Sequence, residues 1–164
     1  MPLLISQFKS PIGVLNLIAD DQILLGLNLS NVKELKEGLS QDDYQKGFKE
    51  VSKIAVITDL LSDYFAGDID AINGVSVRQP GAPFSQGAWK AMRKVKGGKV
   101  LTYSDLADRA GSPAAVRAAG TACAKNAIAI VVPCHRIVKT GGALGNYAYG
   151  LSKKEWLLRH ENAL

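Results

Sequence analysis

The chain has 164 residues, of which 47% are hydrophobic and 21% charged, and its formal net charge is +5. This length suits one domain or two small ones, and the composition is that of a globular protein with a substantial core. No apolar run approaches the roughly 18 residues that span a membrane, and the N-terminus shows no signal-peptide pattern. Two cysteines are too few for a disulfide framework, so we expect free thiols, a cytoplasmic location and no membrane partner.

The net charge is distributed unequally between two halves of the chain. Residues 1–79 carry seven Lys/Arg against eleven Asp/Glu, a net of −4, whereas residues 80–164 carry thirteen against four, a net of +9. A basic half beside an acidic half is typical of a polyanion-binding domain next to one that does not bind, although a solvated basic face gives the same count. The sign changes within a segment rich in Gly and Pro, so we predict two domains, 1–79 and 80–164.

The first half has the pattern of a sheet followed by helices. The segments LLISQF, VLNLIA and ILLGLNL are separated by short turns and predict a three-stranded antiparallel meander. Apolar residues at positions 57, 60, 61, 64 and 65 share one helical face, which predicts a helix that Gly67 ends. The segment INGVSV is a candidate edge strand.

The second half is predicted to be helical with one short strand. SQGAWKAMRKV and SDLADRAG are predicted helices, and Ser112 followed by Pro113 is a typical start signal for a third helix, SPAAVRAAGTACAKN. Two short helices joined at Gly111 and Ser112 fit a helix-turn-helix. AIAIVV is predicted to be a short buried strand, and LSKKEWLLRHE a final helix.

The third of these helices is unusual because many of its side chains are single methyl groups. Ala115 and Ala118 belong to a surface that is nearly bare, so the helix backbone can approach another surface closely. Tight packing in the core and a fit to a narrow DNA groove both explain this composition. Arg117 lies on the same helix with few carboxylates nearby in sequence, and could contact phosphate or enter the base stack.

IVVPCHRIV, residues 130–138, places the best nucleophile candidate at the end of the predicted strand. The reactive form of Cys134 is the thiolate, which nearby cations or a hydrogen-bonded His favour. His135 could act as the base, and Glu161 could orient it if the final helix folds back. Because adjacent side chains of a strand point in opposite directions, a direct Cys134–His135 bond needs a turn, and a bridging water is the other route. A structural, buried Cys134 is the alternative.

A combination of motifs in the second half resembles the O6-alkylguanine-DNA alkyltransferase family, the methylated-DNA–protein-cysteine methyltransferases. The motifs are TYSDLA, VRAAG, Asn126 placed eight residues before Cys134, PCHR, GNYAYG and KEWLLRHE. The match covers about residues 80–164, whereas the first half agrees only in its SPIG hairpin. The resemblance implies an N-terminal ribonuclease-H-like α/β domain, with an antiparallel sheet and helices, and a C-terminal winged helix-turn-helix domain.

The resemblance also implies single-turnover DNA repair. O6-alkylguanine, and by extension O4-alkylthymine, would be flipped out of double-stranded DNA, and Cys134 would take the alkyl group irreversibly. His135 would deprotonate Cys134 through water, and Glu161 would hold His135. Tyr103 would press the neighbouring phosphate aside and assist protonation of the leaving guanine. We expect no metal or organic cofactor, because this chemistry needs none and the two Cys and two His lack the spacing of metal ligands.

Several DNA-binding roles follow from the resemblance alone. Arg117 would fill the place that the flipped base vacates, Asn126 would brace the turn beside the active site, and Tyr147 would line the pocket. The full predicted substrate- and DNA-binding set is Ser112, Ala115, Arg117, Ala118, Asn126, Tyr147, Ala148 and Tyr149. We expect a monomer to act on duplex DNA.

The chain departs from the family pattern near the predicted pocket. Ala148 stands where the family often has Ser, which removes a hydroxyl donor. Tyr149 stands where Gly is common, and is predicted to narrow the pocket mouth or to stack on large adducts. The first half also lacks the Cys/His cluster that binds zinc in some members.

Three other functions remain open at the level of sequence. A non-catalytic lesion-binding relative is disfavoured because such proteins replace the cysteine. A winged-helix transcription regulator would need no reactive thiol. A thiol hydrolase based on Cys134, His135 and Glu161 would turn over many times.

Overall fold

A five-stranded sheet organises the first of the two units that the chain forms. The computed structural model describes all 164 residues. Unit 1 comprises Met1–Pro80 and Ala127–Val131, and unit 2 comprises Gly81–Asn126 and Val132–Leu164. Unit 2 is therefore interrupted in sequence by the five residues Ala127–Val131, which belong to unit 1. No helix is both long and apolar enough to cross a membrane.

The sheet of unit 1 has the strand order β4-β1-β2-β3-β5. Its strands are β1 (Leu3–Ser10), β2 (Gly13–Asp20), β3 (Ile23–Asn28), β4 (Phe48–Glu50) and β5 (Ser76–Val77). The first three strands pair antiparallel, which confirms the predicted meander, and β5 lies at an edge as predicted for INGVSV. The prediction of an antiparallel sheet was wrong at both edges, since β4 is parallel to β1 and β5 is parallel to β3. Each edge strand follows a helical crossover, which allows a parallel pairing.

Three helices accompany the sheet, namely α1 (Val32–Glu37), α2 (Gln41–Tyr44) and α3 (Ile57–Phe65), with a 3-10 helix at Ile69–Gly74. Helix α3 buries Ile57, Leu61 and Tyr64, as its periodicity predicts. Gly67 follows the end of α3 with a φ of +118°, a backbone conformation that glycine adopts without a steric cost. The predicted stop of this helix is confirmed.

An ion-pair network ties the end of β2 to α2 and to the segment after β5. Arg78 donates to both carboxylate oxygens of Asp43, at 2.9 and 3.3 Å, and to Asp20 at 3.2 Å. Lys46 donates to Asp20 at 2.9 Å and to Asp43 at 3.0 Å. Burial acts to raise the pKa of Asp43, but the hydrogen bonds from Lys46 and Arg78 outweigh burial and lower the pKa. Asp43 is the buried centre of the network.

Replacing Asp43 with Asn is expected to lower the free energy of unfolding at neutral pH by about 1–3 kcal/mol, because charge-assisted hydrogen bonds to a buried carboxylate are lost. The folded pKa of Asp43 lies below its usual 3.8, so the wild-type advantage is present above that value and is lost as the pH falls through the folded pKa. Urea unfolding at neutral and acidic pH measures both effects. Asp42→Asn, on the exposed face of the same turn, is the control, and an equal loss in both variants would contradict the network's role.

Unit 2 is helical around a two-stranded parallel sheet. Its elements are α4 (Pro83–Arg93), β6 (Leu101–Thr102), α5 (Tyr103–Arg109), α6 (Val116–Ala124), β7 (Ile137–Val138) and α7 (Leu151–His160), with a 3-10 turn at Cys134–Arg136. Helix α4 buries Trp89 and Met92, and the Trp89 indole donates to the Ala122 carbonyl of α6 at 2.9 Å. This bond fixes α4 against the alanine-rich helix.

The predicted start of α6 was wrong. The helix begins at Val116, with Ala115 before it, so Ser112 does not cap it. The Ser112 carbonyl instead accepts the N–H of Ala115 at 2.9 Å, which closes a turn before the helix. Ser112 and Pro113, which were predicted to start the helix, therefore belong to a turn instead.

The predicted strand AIAIVV was also wrong. Only one isolated bridge, between Ile128 and Leu27, has strand character. Ile130 has a φ of +68°, and the Val131 N–H donates to the Ala129 carbonyl at 2.7 Å. This tight three-residue turn interrupts the extended backbone, although the segment is buried as predicted.

Candidate active site

A pocket of about 730 Å³ opens on unit 2, and helix α6 forms one of its walls. Five predicted site residues line it: Tyr103, Arg117, Cys134, Tyr147 and Ala148. Sequence reasoning missed seven further lining residues: Val116, Gly120, Thr121, Cys123, Ala124, Lys139 and Asn146. Those of α6 lie three or four positions from Arg117 or from each other, so the helical repeat of the Arg117 face could have identified them.

The other predicted site residues do not line the pocket. His135 and Glu161 are buried, and Asn126 lies partly buried two residues beyond the end of α6. Tyr149 packs edge-on against the pocket residue Tyr147, with ring centroids 5.6 Å apart. Ser112, Ala115 and Ala118 lie in the turn before α6 and in its first turn.

Two consecutive turns position Cys134. Its N–H donates to the Val132 carbonyl at 2.8 Å, and the 3-10 turn then begins at Cys134 itself. The Asn126 amide donates to the same carbonyl at 2.8 Å, and the Asn126 side chain also bonds to Cys134. The backbone is therefore not extended here, so the rule that neighbouring side chains point to opposite faces does not apply. Cys134 lines the pocket while His135 is buried.

A buried cluster of charged groups holds His135. The His135 Nε2 lies 2.8 Å from Glu161 Oε2, and Arg136 donates to both Glu161 oxygens at 2.9 and 3.0 Å. Arg136 also donates to the Val95 carbonyl at 2.7 Å. Burial acts to raise the pKa of Glu161, but the hydrogen bonds from His135 and Arg136 hold it well below its usual range. Sequence reasoning paired His135 with Glu161 and missed Arg136, whose position in PCHR was the available signal.

The protonation of His135 follows from these contacts. Burial lowers the pKa of His135, and although Glu161 opposes this effect, the lowering prevails. The ionised Glu161 carboxylate can only accept, so Nε2 of the neutral ring carries the proton and donates it in a hydrogen bond. Nδ1 is buried, has no hydrogen-bond partner within the chain, and keeps a lone pair for a proton. His135 therefore keeps one unprotonated ring nitrogen, Nδ1.

Lys154 is a second cation of the site that sequence reasoning missed. Its ammonium is fully buried and donates to the carbonyls of Ile137 at 2.6 Å and Asn146 at 3.2 Å. These bonds connect β7 to the loop before α7. Burial lowers the pKa of Lys154, and the negative charges of Cys134 and Cys123 oppose that effect. The ammonium in turn opposes the rise that burial causes in the pKa of Cys134.

Tyr103 packs against the glycine-rich loop. A Cβ atom at Gly145 would lie 3.0 Å from the Tyr103 hydroxyl oxygen, and the φ of Gly145 is +76°, so glycine suits this position on both counts. Burial is the main cause that raises the pKa of Tyr103, and the charges of Cys123 and Cys134 add to it. The phenol therefore keeps its proton at neutral pH beside the thiol.

Comparison with known proteins identifies the kind of site. Residues 83–163 match the family described as 6-O-methylguanine DNA methyltransferase, DNA binding domain. The methylated-DNA–protein-cysteine methyltransferase of Salmonella typhimurium is 38% identical, over 99% of this chain and 97% of the relative. The chain belongs to the methylated-DNA–protein-cysteine methyltransferase family. The predicted family and enzyme class are confirmed.

Other family members align with this chain over nearly its whole length. The relative of the same name from Methanosarcina acetivorans is 35% identical, over 95% of this chain and 96% of the relative. The structure of Mycobacterium tuberculosis OGT in complex with DNA has a TM-score of 0.80 at 31% identity, covering 98% of this chain and 93% of that chain. The chain therefore has the α/β fold of this family, with a mixed sheet and helices.

Proposed function

We propose that the chain repairs O6-alkylguanine in double-stranded DNA by transferring the alkyl group to Cys134, and that O4-alkylthymine reacts by the same route. The observation that supports this most directly is the placement of Cys134 in a pocket of about 730 Å³, next in sequence to a buried His135 whose Nε2 lies 2.8 Å from Glu161. A thiol that faces a cavity beside an oriented base is suited to nucleophilic attack.

The reaction moves one proton to His135 and one alkyl group to sulfur. The Cys134 thiol gives its proton, through water, to Nδ1 of His135, and Glu161 stabilises the resulting imidazolium. The thiolate attacks the saturated carbon on guanine O6, the carbon–oxygen bond breaks, and the Tyr103 phenol donates its proton to the leaving guanine. The His135 imidazolium then returns its proton, through water, to the Tyr103 phenolate. The product is a thioether, from which water cannot regenerate the thiol, so each molecule reacts once.

DNA binding is the proposed task of the basic half. Residues 80–164 form the proposed winged helix-turn-helix domain, in which α5 and α6 are the two helices of the motif. The small side chains of α6 would allow it to enter the minor groove, and Arg117 would fill the place of the flipped base. Residues 1–79 form the proposed ribonuclease-H-like domain. We propose that a monomer acts on the duplex.

Incubation of the purified chain with a duplex that contains one O6-methylguanine tests this proposal. We expect intact mass to rise by one methylene, saturating at one per molecule, and peptide mapping to place the group on Cys134. Cys134→Ser should bind the duplex without a mass change. Binding by the wild type without transfer would instead indicate a recognition module, and turnover of an ester substrate would indicate a thiol hydrolase.

Tyr149 is proposed to limit the size of the alkyl group. Its ring packs against Tyr147, which lines the pocket, so Tyr149→Gly should free the Tyr147 ring and widen the mouth. We expect the rate with O6-benzylguanine to rise relative to the rate with O6-methylguanine, measured by single-turnover kinetics. Tyr44→Gly, an exposed tyrosine of unit 1, is the control. An unchanged ratio of the two rates in Tyr149→Gly would refute this role.

A further inference from the structure

The pocket contains both cysteines of the chain. Cys134 opens the 3-10 turn, and Cys123 lies in the last turn of α6, and both side chains line the same cavity. Neither thiol is fully buried. The alkyl-transfer mechanism uses Cys134 alone and leaves Cys123 without a role.

Asn126 connects the two turns that carry the thiols. Its N–H donates to the Cys123 carbonyl at 3.3 Å, while its side-chain amide donates to the Val132 carbonyl at 2.8 Å. The Asn126 side chain also hydrogen-bonds to Cys134. One residue therefore contacts both cysteines, which holds them on neighbouring parts of the pocket wall.

The electrostatic interactions around the pocket also indicate that Cys123 and Cys134 lie close together. Burial raises the pKa of both thiols, and the Lys154 ammonium opposes this rise in both of them. Burial is the main cause that raises the pKa of Cys123 to about 12, and a charge on Cys134 adds to this rise. Tyr103 is close enough to both sulfur atoms for its pKa to respond to each. The two thiols thus share their charged neighbours and interact with each other.

We propose that Cys123 and Cys134 form a reversible intramolecular disulfide in the presence of a small-molecule disulfide such as oxidised glutathione. Cys134 loses its proton and its thiolate attacks one sulfur of oxidised glutathione, whose S–S bond breaks, and the released glutathione takes up that proton and leaves as a thiol. Cys123 then attacks the Cys134 sulfur of the mixed disulfide and loses its proton, and the second glutathione leaves as a thiol with that proton. Two protein thiols are oxidised, and one glutathione disulfide is reduced to two thiols.

The disulfide would protect a thiol that can be used only once. While Cys134 is linked to Cys123 it cannot accept an alkyl group, but reduction restores it. Without a nearby partner, an oxidised cysteine can proceed to sulfinic acid, which ordinary thiols do not reverse. The order of the steps follows from the site: the hydrogen bond from Asn126 favours the thiolate of Cys134, so Cys134 attacks first and Cys123 second.

Equilibration of the full chain in glutathione buffers of graded ratio tests the proposal. After an acid quench, intact mass should show the loss of two hydrogens with no glutathione attached, and non-reducing peptide mapping should join the peptides of Cys123 and Cys134. The folded chain should form this link at a ratio at least about tenfold more reducing than the same chain in urea, because the fold raises the effective concentration of one thiol near the other.

Single-cysteine variants provide the controls. Cys123→Ala should retain one glutathione on Cys134 under the same conditions, and Cys123→Met is a second variant in case the smaller side chain impairs folding. The proposal is overturned if the folded wild type carries glutathione on Cys134 without the link, if links form only between molecules, or if the urea-unfolded chain forms the link as readily. Alkyl transfer by the reduced wild type, measured in parallel, is a separate result, so that either proposal can fail alone.

Discussion

Replacing Glu161 with Gln is expected to lower the free energy of unfolding by about 3–5 kcal/mol, because it leaves a buried charge without its partner. Arg136 is 1% exposed and directs two of its hydrogen bonds at the Glu161 carboxylate. The Val95 carbonyl, its remaining partner, carries no charge. Urea unfolding at neutral pH measures the loss.

The same change is expected to slow alkyl transfer by about 10²–10⁴-fold at neutral pH, the range for loss of general-base catalysis. In the proposed mechanism, the carboxylate keeps the proton of the neutral His135 on Nε2 and stabilises the imidazolium that forms when Nδ1 accepts the Cys134 proton. A Gln side chain has no charge with which to stabilise that imidazolium. Single-turnover kinetics, under conditions where the variant is folded, separate this effect from the loss of stability.

Glu155→Gln is the matched control on the same helix. Glu155 pairs with Arg159 one turn away at 2.9 Å, but both side chains are largely exposed, so we expect a loss of only about 0.5 kcal/mol or less. Adding Arg136→Met to Glu161→Gln should recover part of the stability, since it removes the unpaired charge. Equal losses in the Glu155 and Glu161 variants would contradict the energetic role of the buried cluster.

The pH dependence of stability tests the same cluster. The pKa of Glu161 is depressed in the fold, so its stabilisation is present above the unfolded pKa and is lost as the pH falls through the folded value. The pKa of His135 is also depressed, so the fold favours the neutral ring and becomes less stable as the pH falls below the unfolded value of about 6.5. The Glu161→Gln variant should lack the Glu161 contribution to this acid loss.

Replacing Lys154 with Met is expected to move the pH dependence of alkyl transfer to higher pH and to slow the reaction at neutral pH by about tenfold or more. The buried ammonium lowers the pKa of Cys134, and a thioether of similar length cannot do so. Loss of the two bonds to the Ile137 and Asn146 carbonyls should also destabilise the fold, by about 1–3 kcal/mol for each unsatisfied group.

A pH profile distinguishes the electrostatic role of Lys154 from a purely structural one. Rates measured only over the pH range in which both proteins are fully folded exclude loss of folded protein, whereas loss of the charge shifts the pH at which the rate reaches half its maximum. The rate of iodoacetamide labelling at Cys134 gives the same information without DNA. Lys153→Met, on the adjacent position of α7, is the control. An unshifted profile in Lys154→Met would show that the ammonium does not act on the thiol.

The sequence predicted the elements whose residue pattern lies within one short segment of the chain. Alternating apolar residues around short turns predict β1, β2 and β3, and the helical spacing of Ile57, Leu61 and Tyr64 predicts α3. Edge strand β4 was missed, because three residues carry little periodicity. Ser112 and Pro113 led to a wrong prediction of where α6 begins, because the same residue types favour a turn as readily as a helix start.

The chemistry of the site was predictable in part. The combination of PCHR with TYSDLA, VRAAG, Asn126, GNYAYG and KEWLLRHE identified the family, and PCHR contains the candidate nucleophile. Arg136, Lys154 and Cys123 were not assigned roles, since a buried Arg, a buried Lys and a pocket thiol look like surface or core residues when only their neighbours in sequence are known. Arg136 bonds to Glu161, 25 positions away, and Lys154 bonds to Ile137, 17 positions away. Cys123 lines the same pocket as Cys134.

The sequence by itself determined the family, the meander, the charge asymmetry and the candidate pair of Cys134 and His135, because each depends on residues near one another along the chain. Only the tertiary structure decided how these residues act. Two turns and the Asn126 amide direct Cys134 to the pocket and His135 to Glu161. The tertiary structure also decided the mixed strand directions of the sheet and the placement of Ala127–Val131 in unit 1. Contacts between distant segments depend on how the whole chain packs, and no local pattern records them.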